Sequence, residues 1–176
     1  MNKKLTLAIK DVVLIALMAA TLTAVKYALN FLPNIELVSL LLVVYTKAFG
    51  AKTLFTVPIF VLVECLQWGF SYWVISYLYV WPILIIVSLI FKKQSHPFVW
   101  ALISGGFGLF FGFFCSFTQL FIGGASMAFA WWISGIPWDI VHCASNFVLC
   151  LVLFKPLDVA LTELKRRFYQ NNENRR

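Results

Sequence analysis

The sequence predicts an all-α membrane protein, a bundle of about six transmembrane helices with both termini cytoplasmic. Three observations lead there: the apolar content, the spacing of the interruptions in it, and the placement of the positive charges. Apolar residues make up 62% of the 176 and charged residues 12%, with a mean hydropathy of +0.89. A soluble domain of this size still exposes about a third of the surface its unfolded chain presents, so it could not hide that much apolar area from water. Lipid must be the solvent for most side chains. Each crossing uses about 20 apolar residues, which leaves no length for a separate soluble domain.

The apolar runs bounded by turn or charge signals lie at about 12–32, 36–50, 53–68, 74–91, 98–121 and 132–154. Pro33-Asn34 separates the first two, Gly50-Ala51-Lys52 the next two, and Lys92-Lys93-Gln94-Ser95-His96-Pro97 the fourth and fifth. Gly123-Gly124 closes the fifth, and Lys165, Arg166 and Arg167 open a basic cytoplasmic tail over 165–176. The second and third runs are short for full crossings. Lys3 and Lys4 precede apolar sequence without a small-residue cleavage site, so that segment reads as the first span rather than a signal peptide. Cys65, Cys115, Cys143 and Cys150 all fall inside apolar runs without CxxC spacing, and are read as packing residues.

Thirteen of the 14 Lys and Arg residues lie at the N-terminus, near 47–52, at 92–93, or from Lys155 onward. An alternating six-span path puts all of these on one side, while the loops near 33–36, 69–73 and 122–131 carry none. The positive-inside rule makes the basic side cytoplasmic. The net charge of +7 is therefore topological, suited to lipid headgroups rather than nucleic acid.

Lys26 is the exception, set inside the first span. An ionisable group at membrane depth costs a few kcal/mol on insertion scales and usually faces a cavity or a partner. Lys26 with Asn30, Glu64 with Gln67 and Trp68, and Asp139 with His142 and Asn146 each share one helical face by spacing, all toward the outer ends of their spans. Polar groups confined to one half do not make a transmembrane ion path; they suggest an outward-facing pocket. Structural pairing of Lys26 with Glu64 or Asp139, or capping by Asp139, would explain the same residues blandly. Trp68, Trp73, Trp81, Trp131, Trp132 and Trp138 also gather at the outer end, with Tyr72, Tyr77 and Tyr79, and only Trp100 belongs to the inner side. An ordinary aromatic belt decorates both interfaces, so the excess fits a ring-lined pocket in which some tryptophans remain interface anchors. Candidate ligand-binding residues are accordingly Lys26, Asn30, Asn34, Glu64, Gln67, Trp68, Tyr72, Tyr79, Trp132, Trp138, Asp139, His142 and Asn146.

Ala16, Ala20 and Ala24 form a small-residue stripe spaced by four, a surface that lets another helix approach closely, and is read as facing a partner protein. Gly105, Gly108 and Gly112 form a similar stripe, read as packing inside the bundle. No Walker motif, HExxH or metal-ligand spacing is present, and Trp131-Trp132-Ile133-Ser134-Gly135 lacks the leading glycine of a GxSG motif. No catalytic residue, metal or cofactor is expected, and no inverted repeat of a self-sufficient carrier is visible.

Taken together, the small six-span chain, the alanine stripe Ala16–Ala24, Leu32-Pro33-Asn34-Ile35-Glu36, Ile75-Ser-Tyr-Leu-Tyr-Val-Trp-Pro82, and Gly135-Ile-Pro-Trp-Asp-Ile-Val-His142 with Asn146 resemble the substrate-binding S components of energy-coupling factor (ECF) transporters. That resemblance implies a cell-membrane protein that captures a vitamin or vitamin precursor outside and delivers it through a transmembrane coupling subunit driven by two ABC-type ATPases. It implies that Ala16, Ala20 and Ala24 meet the coupling subunit and that the loop near Pro33–Glu36 gates the pocket. A ring-rich pocket points first to a corrinoid such as cobalamin. Pantothenate, with Lys26 and His142 as carboxylate partners, and a pyridine or pyrimidine precursor paired with Asp139 or Glu64 are the alternatives. A stand-alone small-molecule carrier is the competing class.

Overall fold

In a computed structural model that describes residues 8–170, the chain forms helices joined by short turns, with no strand among the described residues. Lys3, Lys4 and residues 171–176 of the expected tail lie outside the described residues. Helix α1 spans Ile9–Ala28, α2 Val38–Phe49, α3 Thr56–Trp68, α4 Tyr72–Ile90, α5 Pro97–Leu109 and α6 Phe111–Gln170, with a 3-10 turn Gly50–Phe55 leading into α3. Three stretches are long and apolar enough to cross a membrane: Val38–Trp68, Tyr72–Ile90 and Pro97–Tyr169. The protein is thus all-helical and of membrane type.

Local chemistry explains most of the ends. Asp11 accepts the Ala8 amide at 3.2 Å and satisfies an orphan donor at the start of α1. Glu36 does the same for α2, taking the Ser39 amide at 2.9 Å. Pro97 sits at the first position of α5, where its missing N–H costs nothing, and His96 Nδ1 takes the Phe98 amide at 3.2 Å. Several boundaries differ from the hydropathy reading: the fifth run, 98–121, is broken at Phe110, and helix continues past 154 as far as Gln170. Helix α1 stops at Ala28 rather than 32, because the chain must turn before Pro33, so Asn30 lies in the turn beyond the helix and not on its Lys26 face. The expected 122–131 loop is helical apart from one residue, Gly124, whose φ of 78° and ψ of −174° are accessible to glycine and strained for other residues.

That residue reverses the chain. As a straight rod, a run of 73 residues would extend about 110 Å at 1.5 Å per residue, far beyond a bilayer. Instead α5 and the 111–123 arm of α6 lie antiparallel against the 125–170 arm, and the small residues make the seam. A Cβ on Gly105 would meet Phe147 Cβ at 3.0 Å, and one on Gly108 the His142 carbonyl oxygen at 2.8 Å, while one on Gly112 would collide with the Asp139 carboxylate. Further along, Trp100 stacks on Phe154 at 5.4 Å.

Polar pairs set the direction of the other helices. Lys52 meets Asp11 at 2.6 Å and Lys26 meets Glu64, so α3 runs parallel to α1. Lys47 meets Asp158 at 2.8 Å and Glu36 meets His142 at 3.2 Å, so α2 runs parallel to the second arm of α6. Tyr79 donates to the Phe114 carbonyl at 2.7 Å, and Ser76 bonds Thr118 at 2.8 Å, fixing α4 beside the first arm. Ten of the 12 residues of α2 are buried, which makes this short helix the central post of the bundle rather than a lipid-facing span. The described chain ends meet: Lys10 donates to the Phe168 carbonyl at 3.1 Å, and Tyr169 to Asp11 at 2.6 Å. Lys165 caps α2 from the same end through the Ala48 carbonyl at 2.7 Å. One end of the bundle is therefore closed by ion pairs and lysine caps.

The seam makes a sharp comparison between neighbouring glycines. Gly108→Ala should destabilise the protein by about 1–3 kcal/mol, since backbone cannot move aside for the new methyl. Gly106→Ala, with nothing within 4 Å of its Cβ position, should leave stability unchanged or slightly raised. Thermal unfolding of both variants in detergent checks the pair, and equal losses would contradict the seam.

Candidate functional site

The opposite end of the bundle is hollow. Three adjoining cavities open there, of about 640, 260 and 240 Å³. Tyr77 lines all three. Trp73 is shared by the largest and the smallest, Lys26 and Asn30 by the two smaller ones, and Pro33, Asn34 and Phe111 by the largest and its neighbour. Helix α4 brings Trp73, Tyr77 and Trp81 onto one face at spacings of four, and the rings pack edge to face with centroids 5.1 and 5.4 Å apart. The result is an aromatic wall standing between α1 and the first arm of α6.

Lys26 reaches over that wall from α1. Its ammonium forms an ion pair with Glu64 on α3 and lies 4.7 Å from the centre of the Tyr77 ring and 5.6 Å from that of Trp73. Glu64 is only 1% exposed, and Lys26 is its ion-pair partner there. The ring faces add cation–π attraction to the carboxylate's. The expected structural pairing of Lys26 with Glu64 is therefore present, and the same two groups line the smallest cavity with Gln67 and Trp68.

The second arm of α6 supplies the far wall. His142 Nε2 lies 3.2 Å from Glu36, which also caps α2, and the Ser145 hydroxyl donates to the Asn34 carbonyl at 3.0 Å. These two contacts tie the 29–37 turn to α6. Asn34 takes a left-handed backbone, φ 57°, which asparagine tolerates better than most residues. Three residues before His142, Asp139 Oδ1 accepts the Gly112 amide at 3.0 Å. The break at Phe110 leaves the first amides of α6 without helical acceptors, and Asp139 caps one of them from across the hairpin. Its other oxygen has no hydrogen-bond partner, and neither do His142 Nδ1 and Trp81 Nε1.

Ten of the thirteen candidate residues line these cavities: Lys26, Asn30, Asn34, Glu64, Gln67, Trp68, Tyr72, Trp138, Asp139 and His142. Three do not. Tyr79 bonds Thr118 and the Phe114 carbonyl instead, and lines a separate apolar cavity of about 290 Å³. Trp132 packs on Phe113 at 5.1 Å, away from the hollow end's interior. Asn146 is buried below the site, its amide 3.5 Å from the Ser104 carbonyl. Asn146 shares a helix face with His142, but it lies one turn further down, where the two arms close. Sequence spacing alone did not single out Glu36, Tyr77, Trp73 and Phe111 as ligand-facing, although the i, i+4 series Trp73, Tyr77, Trp81 carried the signal. Among the described residues, no group of three or more His, Cys, Asp or Glu is placed to hold a metal ion. Comparison with protein-family models, curated proteins and solved structures gave no match.

Removing Lys26 should be costly in a way that a double change relieves. Lys26→Met leaves Glu64 buried without a cation and should lower stability by about 3 kcal/mol. Adding Glu64→Gln should restore at least half of that loss. Unfolding of both variants and the parent in one detergent measures the coupling, and an undiminished loss in the double variant would show that the pair is not what holds α1 to α3.

Proposed function

We propose that this protein is a membrane-embedded binding subunit that captures a vitamin or vitamin-precursor-sized molecule at its hollow end and hands it on through partner proteins, as an ECF-type S component does. The observation that carries this reading is the one-sidedness of the bundle. The three adjoining ring-lined cavities and the groups Lys26, Glu64, Asp139 and His142 share one end, while Lys47–Asp158, Lys52–Asp11 and the Lys165 cap close the other. A channel or stand-alone carrier needs polar groups at all depths. A binding subunit needs only a receptive end.

Two further features favour partner-dependent transport. Ala16, Ala20 and Ala24 are all exposed, whereas Leu14, Ile15, Met18, Ala19 and Leu22 on the opposite face of α1 are buried in the core. The stripe is thus uncovered among the described residues and smooth enough for another helix. The largest cavity, about 640 Å³, lies in the range of small-molecule sites. It suits a vitamin built on one or two rings; a corrinoid would need the cavities to merge. In this reading the six apolar runs are six crossings, the basic end and both termini are cytoplasmic, and the 29–37 turn gates the hollow end.

Sidedness is open to labelling. In a background without its four cysteines, Ser95→Cys should react with an impermeant maleimide only from the cytoplasmic side, and Ala125→Cys only from outside. Reaction of both from one side would refute the six-crossing path. For the partner face, Ala16→Trp with Ala20→Trp should abolish co-purification with a coupling subunit and its two ATPases and stop uptake in cells, while leaving the purified chain monodisperse. Uptake by the purified chain alone in liposomes would instead establish a stand-alone carrier.

A further inference from the structure

The charges around the hollow end do not balance. Among the described residues there, Lys26 is held by Glu64 and His142 by Glu36, whereas Asp139 forms no ion pair. Three carboxylates thus face one ammonium and at most one imidazolium. Asp139 is 5% exposed, lines the largest cavity, and keeps one carboxylate oxygen without a hydrogen-bond partner. A buried carboxylate oxygen left this way is expensive unless something supplies a donor. The other oxygen is already used by the Gly112 amide, and that contact holds the carboxyl at the cavity wall.

The remaining wall reinforces the sign. Tyr72, Trp73, Tyr77, Phe111, Trp131 and Trp138 line the same cavity. Aromatic faces carry negative potential, which attracts a cation and accepts a flat ring by stacking. An anion would find no free cation here. To reach Lys26 it would have to displace Glu64, which would then sit buried and unpaired.

We propose that the largest cavity takes a flat, nitrogen-bearing ring that is positively charged or rich in N–H donors, stacked among these aromatic side chains with its donor nitrogen on Asp139. This rests on the reading of the hollow end as a ligand site and narrows it to cationic or donor-bearing heterocycles over carboxylate vitamins.

The test uses the full chain in lipid nanodiscs and the quenching of its tryptophan fluorescence by three probes of one ring size: 1-methylnicotinamide (a cation), nicotinamide (neutral) and nicotinate (an anion). The cation should bind at least about tenfold tighter than the anion, with the neutral ring between them. D139N should erase most of that tenfold preference and leave nicotinamide binding nearly unchanged, because the amide oxygen of the new side chain can still accept from Gly112. Nicotinate binding as tightly as the cation, a preference that survives D139N, or no binding by any of the three would each overturn the proposal. Should D139N fail to yield monodisperse protein, the ranking of the three probes on the unaltered chain still decides. Mass spectrometry of the ligand retained on purification separates this proposal from the one beneath it. A retained anionic vitamin would overturn the ligand class and leave the binding-subunit reading standing, whereas a chain retaining no ligand and no partner proteins would overturn both.

Discussion

The site depends on how closely two helical arms can approach. Gly105, Gly108 and Gly112 present no side chains to the 125–170 arm, so backbone meets backbone at His142 and Cys143, and the Gly112 amide reaches the Asp139 carboxylate. Any larger residue along this line would push the arms apart by the width of a methyl group. His142 and Ser145 stand on the arm that would move, and through Glu36 and Asn34 they hold the turn between α1 and α2. Packing in the hairpin thus shapes the cavity it lines and positions a turn more than a hundred residues earlier in the sequence. In lipid, where apolar surfaces gain little by meeting one another, close contact of small residues is the main attraction available.

The two ends of the bundle solve the problem of charge in opposite ways. At the basic end, Lys47, Lys52 and Lys165 reach acids or helix carbonyls, and the terminal segments of the described chain are drawn together by Asp11 and Tyr169. At the hollow end two pairs, Lys26–Glu64 and His142–Glu36, are separated by space lined by rings. Lys26 illustrates the economy of that arrangement. One ammonium neutralises Glu64, lies over the Tyr77 ring and forms part of two cavity walls. The charge that would make membrane insertion costly is spread over a carboxylate and aromatic faces, which leaves it poorly suited to capture an external anion.

Much of this was legible in the residues. Hydropathy and the places of lysine and arginine depend on composition over about 20 positions, and a bilayer sorts a chain on that length scale. They therefore marked the membrane class, the apolar runs and the gathering of polar groups at one end. The exposed alanine face of α1 was legible too, because a stripe spaced by four stays on one side of a helix whatever surrounds it. The pairing of Lys26 with Glu64 could be placed only among alternatives, since depth in the membrane does not say which helices are neighbours.

Tertiary structure alone decided the rest. Periodicity assigned Asn146 to the same face as Asp139 and His142, yet Asn146 is buried between the two arms with its amide toward the Ser104 carbonyl. It assigned Asn30 to the helix of Lys26, yet the chain leaves the helix at Ala28 to turn before Pro33. The run after Pro97 contained a glycine pair, but only the folded chain shows that the non-helical torsion falls on Gly124 and that helix resumes at once on its far side. Tyr77 became the centre of the site because three helices happen to meet around its ring. Helix phase and membrane depth are properties of a short stretch of sequence and can be read from it. The identity of the neighbour across a gap depends on the rotation and tilt of every helix together, and that is where the unpartnered carboxylate oxygen of Asp139 was revealed.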